Sequence, residues 1–369
     1  MKQFKQYGRF LTYALILAIP FYIFRYKIGA IPTTFLEELI LVAFFVNLIA
    51  GNIKIKNKAV FFSALALVVF AFISALMDPQ VSRGLGLFKA YFLDGFLLYL
   101  MFSSQSDELY LPLLSISGAL TSVLALVASS WTADGRLFDL DKLSPNYLSM
   151  FLAPIFVLAL YQAIIKRYRI LNIACLAAML VAIVLAGSRG GYVGIIAGII
   201  FMLGSLAYEK LSKPKVIFAS VLLFIILLGG TFVLFKPQAN DMGRTGSSSN
   251  IRYYIWTTSL EMIQNHPLLG VGIGNYQDSF KELTDGRVNY NEYIAPEALT
   301  AHNLYLHLYL TTGIFGLVSF VAILYFALRK SKNKVVLAAL VVILVYGLVD
   351  TPVFRNDLAA MFFIIIALL

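Results

Sequence analysis

Charged side chains are scarce in this sequence, and cysteine and histidine are scarcer still. Asp, Glu, Lys and Arg make up 13% of the 369 residues, whereas a soluble domain of this length carries roughly 25%. The one cysteine, Cys175, lies within an apolar run, so neither a disulfide framework nor a thiolate metal site is predicted. These shortages argue against a soluble enzyme and against a disulfide-stabilised secreted module.

Apolar residues are abundant instead, at 60% of the chain. They form runs long enough to cross ~30 Å of hydrocarbon from one end of the sequence to the other. We therefore predict an all-α, polytopic integral membrane protein with a single transmembrane domain over 1–369 and about twelve transmembrane helices. The predicted spans are 10–24, 31–50, 59–77, 90–104, 109–130, 147–165, 170–187, 192–208, 216–235, 303–328, 335–349 and 357–369.

Basic residues concentrate in alternate short loops between these spans. The loops 1–9, 51–58, 105–108, 166–169, 209–215 and 329–334 hold sixteen of the 29 basic residues and only three acids. Cytoplasmic loops of membrane proteins carry such an excess of Lys and Arg. The bias predicts that both termini are cytoplasmic, and it accounts for the net charge of +10 without a nucleic-acid partner.

The remaining arginines and most acids fall on the predicted outer face. The large connection 236–302, with an amphipathic stretch after Asn250, is predicted to be extracytoplasmic and to contain short helices. Connections of this length usually carry function.

Two arginines on this face lie near lipid depth. Arg189 lies in "GSRGG" (187–191), between two apolar spans, and Arg252 falls inside the apolar arc of the amphipathic stretch. Arginine binds diphosphate in a bidentate manner, so both are candidate ligands for a diphosphate on a polyprenyl carrier. The alternatives are an interfacial arginine in a simple hairpin for Arg189, and either snorkelling to the membrane surface or a structural ion pair for Arg252.

His302 and His307 open the span at 303–328. Their spacing of five positions puts them on different faces of a helix, and no HExxH or Cys pattern accompanies them, so no metal and no cofactor is predicted. His302 lies at the outer interface, where an imidazole can accept a proton. His307 lies more than a turn deeper and is predicted to pack or to form a hydrogen bond.

A carboxylate and a further arginine follow in "LVDTPVFR" (348–355). Asp350 and Arg355 either belong to the same site or simply pair with each other.

The chain resembles the O-antigen ligase and polymerase superfamily over residues 145–365. The resemblance rests on "GSRGG" (187–191), "R…W…HPLLGVGIGNY" (252–276), "AHNLYLHLYLTTGIFGL" (301–317) and "LVDTPVFR" (348–355), in that order. Members of this superfamily transfer lipid-linked glycans at the outer side of the bacterial cytoplasmic (inner) membrane.

The resemblance implies a role for each candidate residue. Arg189 and Arg252 would hold the diphosphate of an undecaprenyl-diphosphate glycan donor, with Arg355 as a further anion contact. His302 would activate the acceptor hydroxyl, Asp350 would support it, and Tyr276 and Tyr305 would line the acceptor path. The expected reaction is a metal-independent, inverting glycosyl transfer within the lipid bilayer.

Three classes of acceptor are compatible with the sequence. A lipid A core acceptor would make the protein a ligase, which is the preferred hypothesis. A second lipid-linked glycan would make it a polymerase, and a protein hydroxyl an O-oligosaccharyltransferase. A lipid-linked oligosaccharide flippase or other transporter also fits twelve spans, but transporters place polar residues near the membrane midplane. A non-catalytic scaffold is the remaining alternative, and it would not need His302.

Overall fold

The computed structural model describes residues 2–29, 31–105, 107–165, 167–207, 248–285, 298–331 and 333–369. The predicted span 216–235 lies outside the described residues, and so do 236–247 and 286–297 of the predicted large connection.

Helices dominate the described chain. Before the large connection they are α1 (Lys2–Ala18), α2 (Phe35–Ile49), α3 (Lys58–Leu76), α4 (Val81–Phe88), α5 (Asp94–Ser104), α6 (Tyr110–Ala128), α7 (Pro145–Ile164), α8 (Arg169–Ala186) and α9 (Arg189–Ala207). Within and after it they are α10 (Ser248–Asn265), α11 (Tyr276–Thr284), α12 (Leu304–Lys330), α13 (Lys334–Tyr346) and α14 (Asn356–Leu368).

Six of the described helical segments are long and apolar enough to cross a membrane. They are Lys58–Leu76, Val81–Ser104, Tyr110–Ala128, Pro145–Ile164, Arg169–Ala186 and Leu304–Arg329. Shorter apolar helices cover Arg189–Ser205, Lys334–Tyr346 and Asn356–Leu368. An all-α membrane protein is therefore supported, but the predicted number of twelve spans is not confirmed.

The predicted second span begins later than expected. A β-hairpin of β1 (Arg25–Ile28) and β2 (Ile31–Thr34) occupies its first residues. Pro32 has no N–H for helical bonding, and Thr34 then caps α2 in a capping box with Glu37. The predicted fourth span is longer than expected, because a π-helical turn, Lys89–Leu93, joins α4 to α5.

A kink in α12 brings the large connection back onto the bundle. Gly313 has φ +71°, which a residue with a Cβ rarely adopts. Across this kink, the Val271 N–H donates to the Leu310 carbonyl at 2.8 Å, and the Ile314 N–H donates to the Leu268 carbonyl at 3.1 Å. The glycine-rich segment after α10 thus packs against the kink of α12, and its hydrogen bonds are structural.

Buried apolar residues of nearly every helix form one continuous core. In the tightest pairs, α3 packs on α12, α7 on α8, and α9 on α13. A smaller core of α10 and α11, including Ile255, Met262 and Phe280, lies against α12. This packing holds α10 beside the first turns of α12, where the candidate residues converge.

Candidate functional site

His302 and Asp350 form a hydrogen-bonded pair at the start of α12. His302 Nδ1 lies 3.1 Å from Asp350 Oδ1. The Asp350 side chain is 4% exposed and that of His302 is 35% exposed. The carboxylate is therefore buried behind an imidazole whose other edge is accessible. Asp350 pairs with His302 and not with Arg355, so the alternative Asp350–Arg355 pair is wrong.

The backbone around His302 is held in an uncommon conformation. His302 has φ +44°, in the left-handed region that a non-glycine residue enters only with support from its surroundings. Trp256 Nε1–H donates to the His302 carbonyl at 3.2 Å. Asn303 caps α12, accepting from the N–H groups of Tyr305 and Leu306, and its own amide donates to the Leu348 carbonyl at 3.0 Å.

Asp350 receives further hydrogen bonds that fix its orientation. Asn146 Nδ2 donates to its Oδ2 at 3.1 Å, and the Thr351 N–H donates to its Oδ1 at 3.1 Å. Burial favours the neutral acid, but the facing His302 and Arg252 side chains outweigh burial and hold the pKa of Asp350 below its ordinary value. Asp350 is thus stabilised as an anion beside the histidine.

Arg252 approaches the same carboxylate from α10. Its guanidinium lies 3.6 Å from Asp350 Oδ2, and its Nε–H donates to the Val349 carbonyl at 2.9 Å. The side chain is 13% exposed, as its place in the apolar arc of the amphipathic helix predicts. The structure therefore fixes this guanidinium while part of it still faces the cavity described below.

Arg189 begins α9 immediately after a tight turn. Gly187 ends α8 with φ +60°, and the Ser188 hydroxyl lies 2.6 Å from the Tyr346 hydroxyl. A Cβ on Gly190 would lie 2.7 Å from the Tyr346 ring, so glycine permits α9 to approach α13 closely. The Arg189 side chain is exposed, and no described residue forms an ion pair with it.

One cavity of about 500 Å³ connects these groups, and we call it the Arg189 cavity. Its lining includes Arg189, Arg252 and His302, together with Ser188 and Gly190 from the first turn of α9. The N-terminus of a helix attracts anions through its unpaired N–H groups and its dipole. The cavity therefore combines the guanidinium groups of Arg189 and Arg252 with a helix N-terminus and an accessible imidazole.

Arg355 lies elsewhere. It is buried, with its guanidinium bonded to Asp139 and, at 2.7 Å through two nitrogens, to Asp357. The rings of Tyr22 and Tyr147 lie 4.9 Å and 4.4 Å from its central carbon. The structure thus does not bring Arg355 to the Arg189 cavity.

The two predicted acceptor-lining tyrosines also separate. Tyr276 is buried and lines a second cavity, of about 750 Å³, which we call the His307 cavity after another residue of its wall. Tyr305 lines neither cavity, because its ring packs into the bundle and its hydroxyl donates to the Leu344 carbonyl at 3.0 Å.

Sequence reasoning missed Asn146 and the site roles of Trp256 and Arg136. Asn146 follows Ser144 and Pro145, a pattern that indicates only a helix start. Trp256 is the W of the second motif and lies one turn from Arg252 on α10, but its hydrogen bond to the His302 carbonyl was not predicted. Arg136 lines the Arg189 cavity, but its Nε is 2.8 Å from Asp134 Oδ2, so its charge is partly balanced.

Residues 174–321 match the family model described as O-antigen ligase. The match contains the first three of the four motifs noted above, and it confirms the resemblance to the O-antigen ligase and polymerase superfamily. No match was found among curated proteins.

Proposed function

We propose that this protein is a glycan transferase of the O-antigen ligase and polymerase superfamily. In this proposal it moves an oligo- or polysaccharide en bloc from undecaprenyl diphosphate to an acceptor hydroxyl. The reaction takes place at the outer face of the bacterial cytoplasmic membrane, and both chain termini are cytoplasmic. The preferred acceptor class is the core of lipid A, which would make the protein a ligase.

The His302–Asp350 pair carries the proposal. The Asp350 carboxylate can only accept a hydrogen bond, so His302 Nδ1 has to donate it. The pair therefore favours the His302 tautomer with the proton on Nδ1 and a lone pair on Nε2. His302 lines the Arg189 cavity, so the basic nitrogen can meet a substrate hydroxyl there. This arrangement of base and orienting carboxylate is the one that general-base catalysis needs.

The donor diphosphate is assigned to Arg189, Arg252 and the first turn of α9. The guanidinium groups of Arg189 and Arg252 and the N-terminus of α9, which meet at one cavity, suit the charge of a diphosphate. They also stabilise the charge that grows on the leaving group during transfer. Arg355 is assigned a structural role instead, because Asp139 and Asp357 already occupy its guanidinium.

The proposed step is a single displacement. The acceptor hydroxyl gives its proton to His302 Nε2 as its oxygen forms a bond to the anomeric carbon. The bond between that carbon and the phosphate oxygen breaks, and its electron pair leaves with undecaprenyl diphosphate. Attack opposite the leaving group inverts the anomeric centre, and we propose that no metal ion takes part.

The test uses the full-length protein in nanodiscs with EDTA and an undecaprenyl-diphosphate oligosaccharide. The acceptor panel contains lipid A core, a second undecaprenyl-diphosphate oligosaccharide and a serine-containing peptide. Wild type is compared with His302→Ala and with His266→Ala, a matched change at an exposed histidine that lies outside both cavities.

Transfer by wild type and His266→Ala, but not by His302→Ala, would support the proposal, and the productive acceptor would assign ligase or polymerase. Transfer that requires a metal would contradict the metal-independent mechanism. Movement of the lipid across sealed vesicles, without transfer to any acceptor, would mean that the protein is a transporter.

A further inference from the structure

The His307 cavity lies next to the catalytic pair but shares no lining residue with the Arg189 cavity. It is the larger of the two, at about 750 Å³. Its wall includes His307, Thr300, Tyr91, Tyr147, Tyr276 and Phe354. The proposed mechanism uses none of these side chains.

His307 is oriented toward this cavity with a defined tautomer. Its side chain is buried, and its Nδ1 accepts a hydrogen bond from the Ala301 N–H at 3.4 Å. Nδ1 therefore carries a lone pair, and the proton of the neutral ring lies on Nε2. The rings of Tyr276 and Phe354 pack edge-on against it, with centroids at 5.0 Å and 4.4 Å, so the imidazole cannot rotate freely.

The Nε2–H group of His307 has no acceptor among the described residues. Nε2 is not among the fully buried atoms without a partner, so a ligand oxygen in the cavity can accept its hydrogen bond. His307 thus offers a hydrogen-bond donor on the wall of the His307 cavity.

Other groups on the cavity wall suit a sugar. The hydroxyls of Tyr91 and Tyr147 have no hydrogen-bond partner among the described residues. Aromatic rings pack against the C–H faces of sugars, while hydroxyl and imidazole groups exchange hydrogen bonds with sugar hydroxyls. Aromatic surface with a few fixed polar groups is therefore the chemistry of a carbohydrate site.

Most cations on the wall of this cavity are paired with carboxylates. Arg25 lies 2.6 Å from Asp141, Arg83 lies 2.7 Å from Asp278, and Arg355 is bonded to Asp139 and Asp357. Lys27, on the exposed strand β1, is the one lining cation without a described partner. All three guanidinium groups of this wall are thus paired with carboxylates, and the aromatic rings and hydroxyls supply its remaining contacts.

The wall between the cavities contains the catalytic pair. Thr300 lines the His307 cavity, and its Oγ1 accepts from the His302 N–H at 3.4 Å and from the Thr351 hydroxyl at 3.4 Å. Along α7, Asn146 lines the Arg189 cavity and the next residue, Tyr147, lines the His307 cavity. His302 itself lines the Arg189 cavity and not the His307 cavity. A sugar held in the His307 cavity therefore has to extend its reacting hydroxyl past this wall to reach His302 Nε2, on the side opposite the leaving group that a displacement requires.

We propose that the His307 cavity binds the uncharged sugar that carries the acceptor hydroxyl, with His307 Nε2–H donating to a sugar oxygen. This inference rests on the proposed function, to which it adds a positioning residue and a substrate class for the acceptor. His307 orients the acceptor, and His302 remains the base.

The kinetic test compares His307→Phe and His307→Gln with wild type and with His266→Phe. Phenylalanine keeps an aromatic ring between Tyr276 and Phe354 but removes the donor, whereas glutamine keeps an N–H donor. At saturating donor, His307→Phe should raise the KM for the acceptor about 3- to 10-fold, the value of one hydrogen bond, with the KM for the donor unchanged. His307→Gln should restore part of the loss, and His266→Phe should behave as wild type.

Tyr147→Phe, which removes one cavity hydroxyl, should also raise the KM for the acceptor. A normal acceptor KM in His307→Phe, or a rise in the donor KM instead, would overturn the inference while leaving the proposed function intact. If His307→Phe unfolds, the inference is tested by the KM for the acceptor in His307→Gln and in Tyr147→Phe instead.

A binding test does not depend on catalysis. In a Cys175→Ser background, Leu143→Cys places a thiol on the His307 cavity and Ile251→Cys places one on the Arg189 cavity. The water-soluble core oligosaccharide freed from lipid A, and the free oligosaccharide of the donor lipid, are each used as probes. At least one sugar should slow maleimide labelling of Leu143→Cys and not of Ile251→Cys.

The two tests separate the two hypotheses. A serine peptide and undecaprenyl phosphate are tested in the same way. If either slows maleimide labelling of Leu143→Cys and neither sugar does, the assignment of the cavity to a carbohydrate is overturned. Protection by a sugar in a protein that transfers no glycan would support the site and reject the proposed function.

Discussion

His302 and Asp350 are 48 positions apart in the chain, yet His302 Nδ1 lies 3.1 Å from Asp350 Oδ1. Two neighbouring contacts hold them in register. The Leu304 N–H donates to the Gly347 carbonyl at 2.7 Å, and the Asn303 amide donates to the Leu348 carbonyl at 3.0 Å. The pair is therefore fixed by the packing of the start of α12 on the end of α13.

Replacing His302 by asparagine removes the base without straining the backbone. Asparagine tolerates the left-handed φ of this position better than alanine does. We expect His302→Asn to fold normally, to bind donor with unchanged affinity, and to lose roughly 10²- to 10⁴-fold in kcat, the usual contribution of a general base. A transfer assay with a thermal melt measures both properties, and activity within tenfold of wild type would show that another group takes the proton.

Asp350→Asn should lower kcat by a different route. The asparagine amide can donate to Nδ1, which moves the imidazole proton to Nε2 and removes the lone pair that faces the Arg189 cavity. A comparable change in a catalytic triad costs about 10⁴-fold, so we expect a loss of roughly 10²- to 10⁴-fold. Asp278→Asn, which changes an exposed partner of Arg83, is the control. Equal, small effects of the two changes would contradict the orienting role.

Arg189→Lys should weaken donor binding although it keeps the charge. A lysine is a point charge and cannot form the two parallel hydrogen bonds that a guanidinium makes to a phosphate. We expect the KM for the donor to rise roughly 10- to 100-fold with the KM for the acceptor unchanged. Arg167→Lys, at an arginine paired with Glu108, should have no effect. A donor KM equal to that of wild type in Arg189→Lys would place the diphosphate elsewhere.

Arg355→Ala tests whether this arginine is structural or binds the donor. It would leave the carboxylates of Asp139 and Asp357 buried without their cation, a change that costs about 3–5 kcal/mol. We expect a clear fall in Tm and, in the folded fraction, an unchanged KM for the donor. A raised donor KM with a normal Tm would restore the diphosphate role that the motif near the C-terminus implied.

The sequence predicted that Arg189, Arg252, His302 and Asp350 would come together, and it missed Asn146 and Arg136 at the same cavity. Arg189 and His302 were each predicted near the start of an apolar helix, and Asp350 near the end of one. All three helix ends were predicted at the outer face of the membrane, which brings these residues to the same side. The partners of Arg355 were not predictable in this way. Asp139 is 216 positions away, in a connection without a helical pattern, so only the tertiary packing selects it.

The fold was less predictable at the ends of helices than in their middles. Hydropathy predicted a span from residue 31, but Pro32 and the Thr34–Glu37 capping box make the first four residues a strand. Hydropathy and helical spacing also did not predict the His307 cavity. A buried histidine on an apolar helix looks like a packing residue until its hydrogen bond from Ala301 and its place on a cavity wall are known.

Gly313→Ala tests whether the kink of α12 positions the site. The new Cβ would lie 2.4 Å from the Leu268 carbonyl oxygen, at a residue with φ +71°, so the segment after α10 must shift and stability should fall by roughly 1 kcal/mol or more. Because this segment anchors α10, Arg252 should also lose its place beside Asp350, and we expect both a lower Tm and a raised KM for the donor. Gly204→Ala, in α9 with no atom within 4 Å of the new Cβ, should keep or slightly raise the Tm, since alanine favours a helix. If Gly313→Ala lowers the Tm but leaves the donor KM unchanged, the position of Arg252 does not depend on the kink.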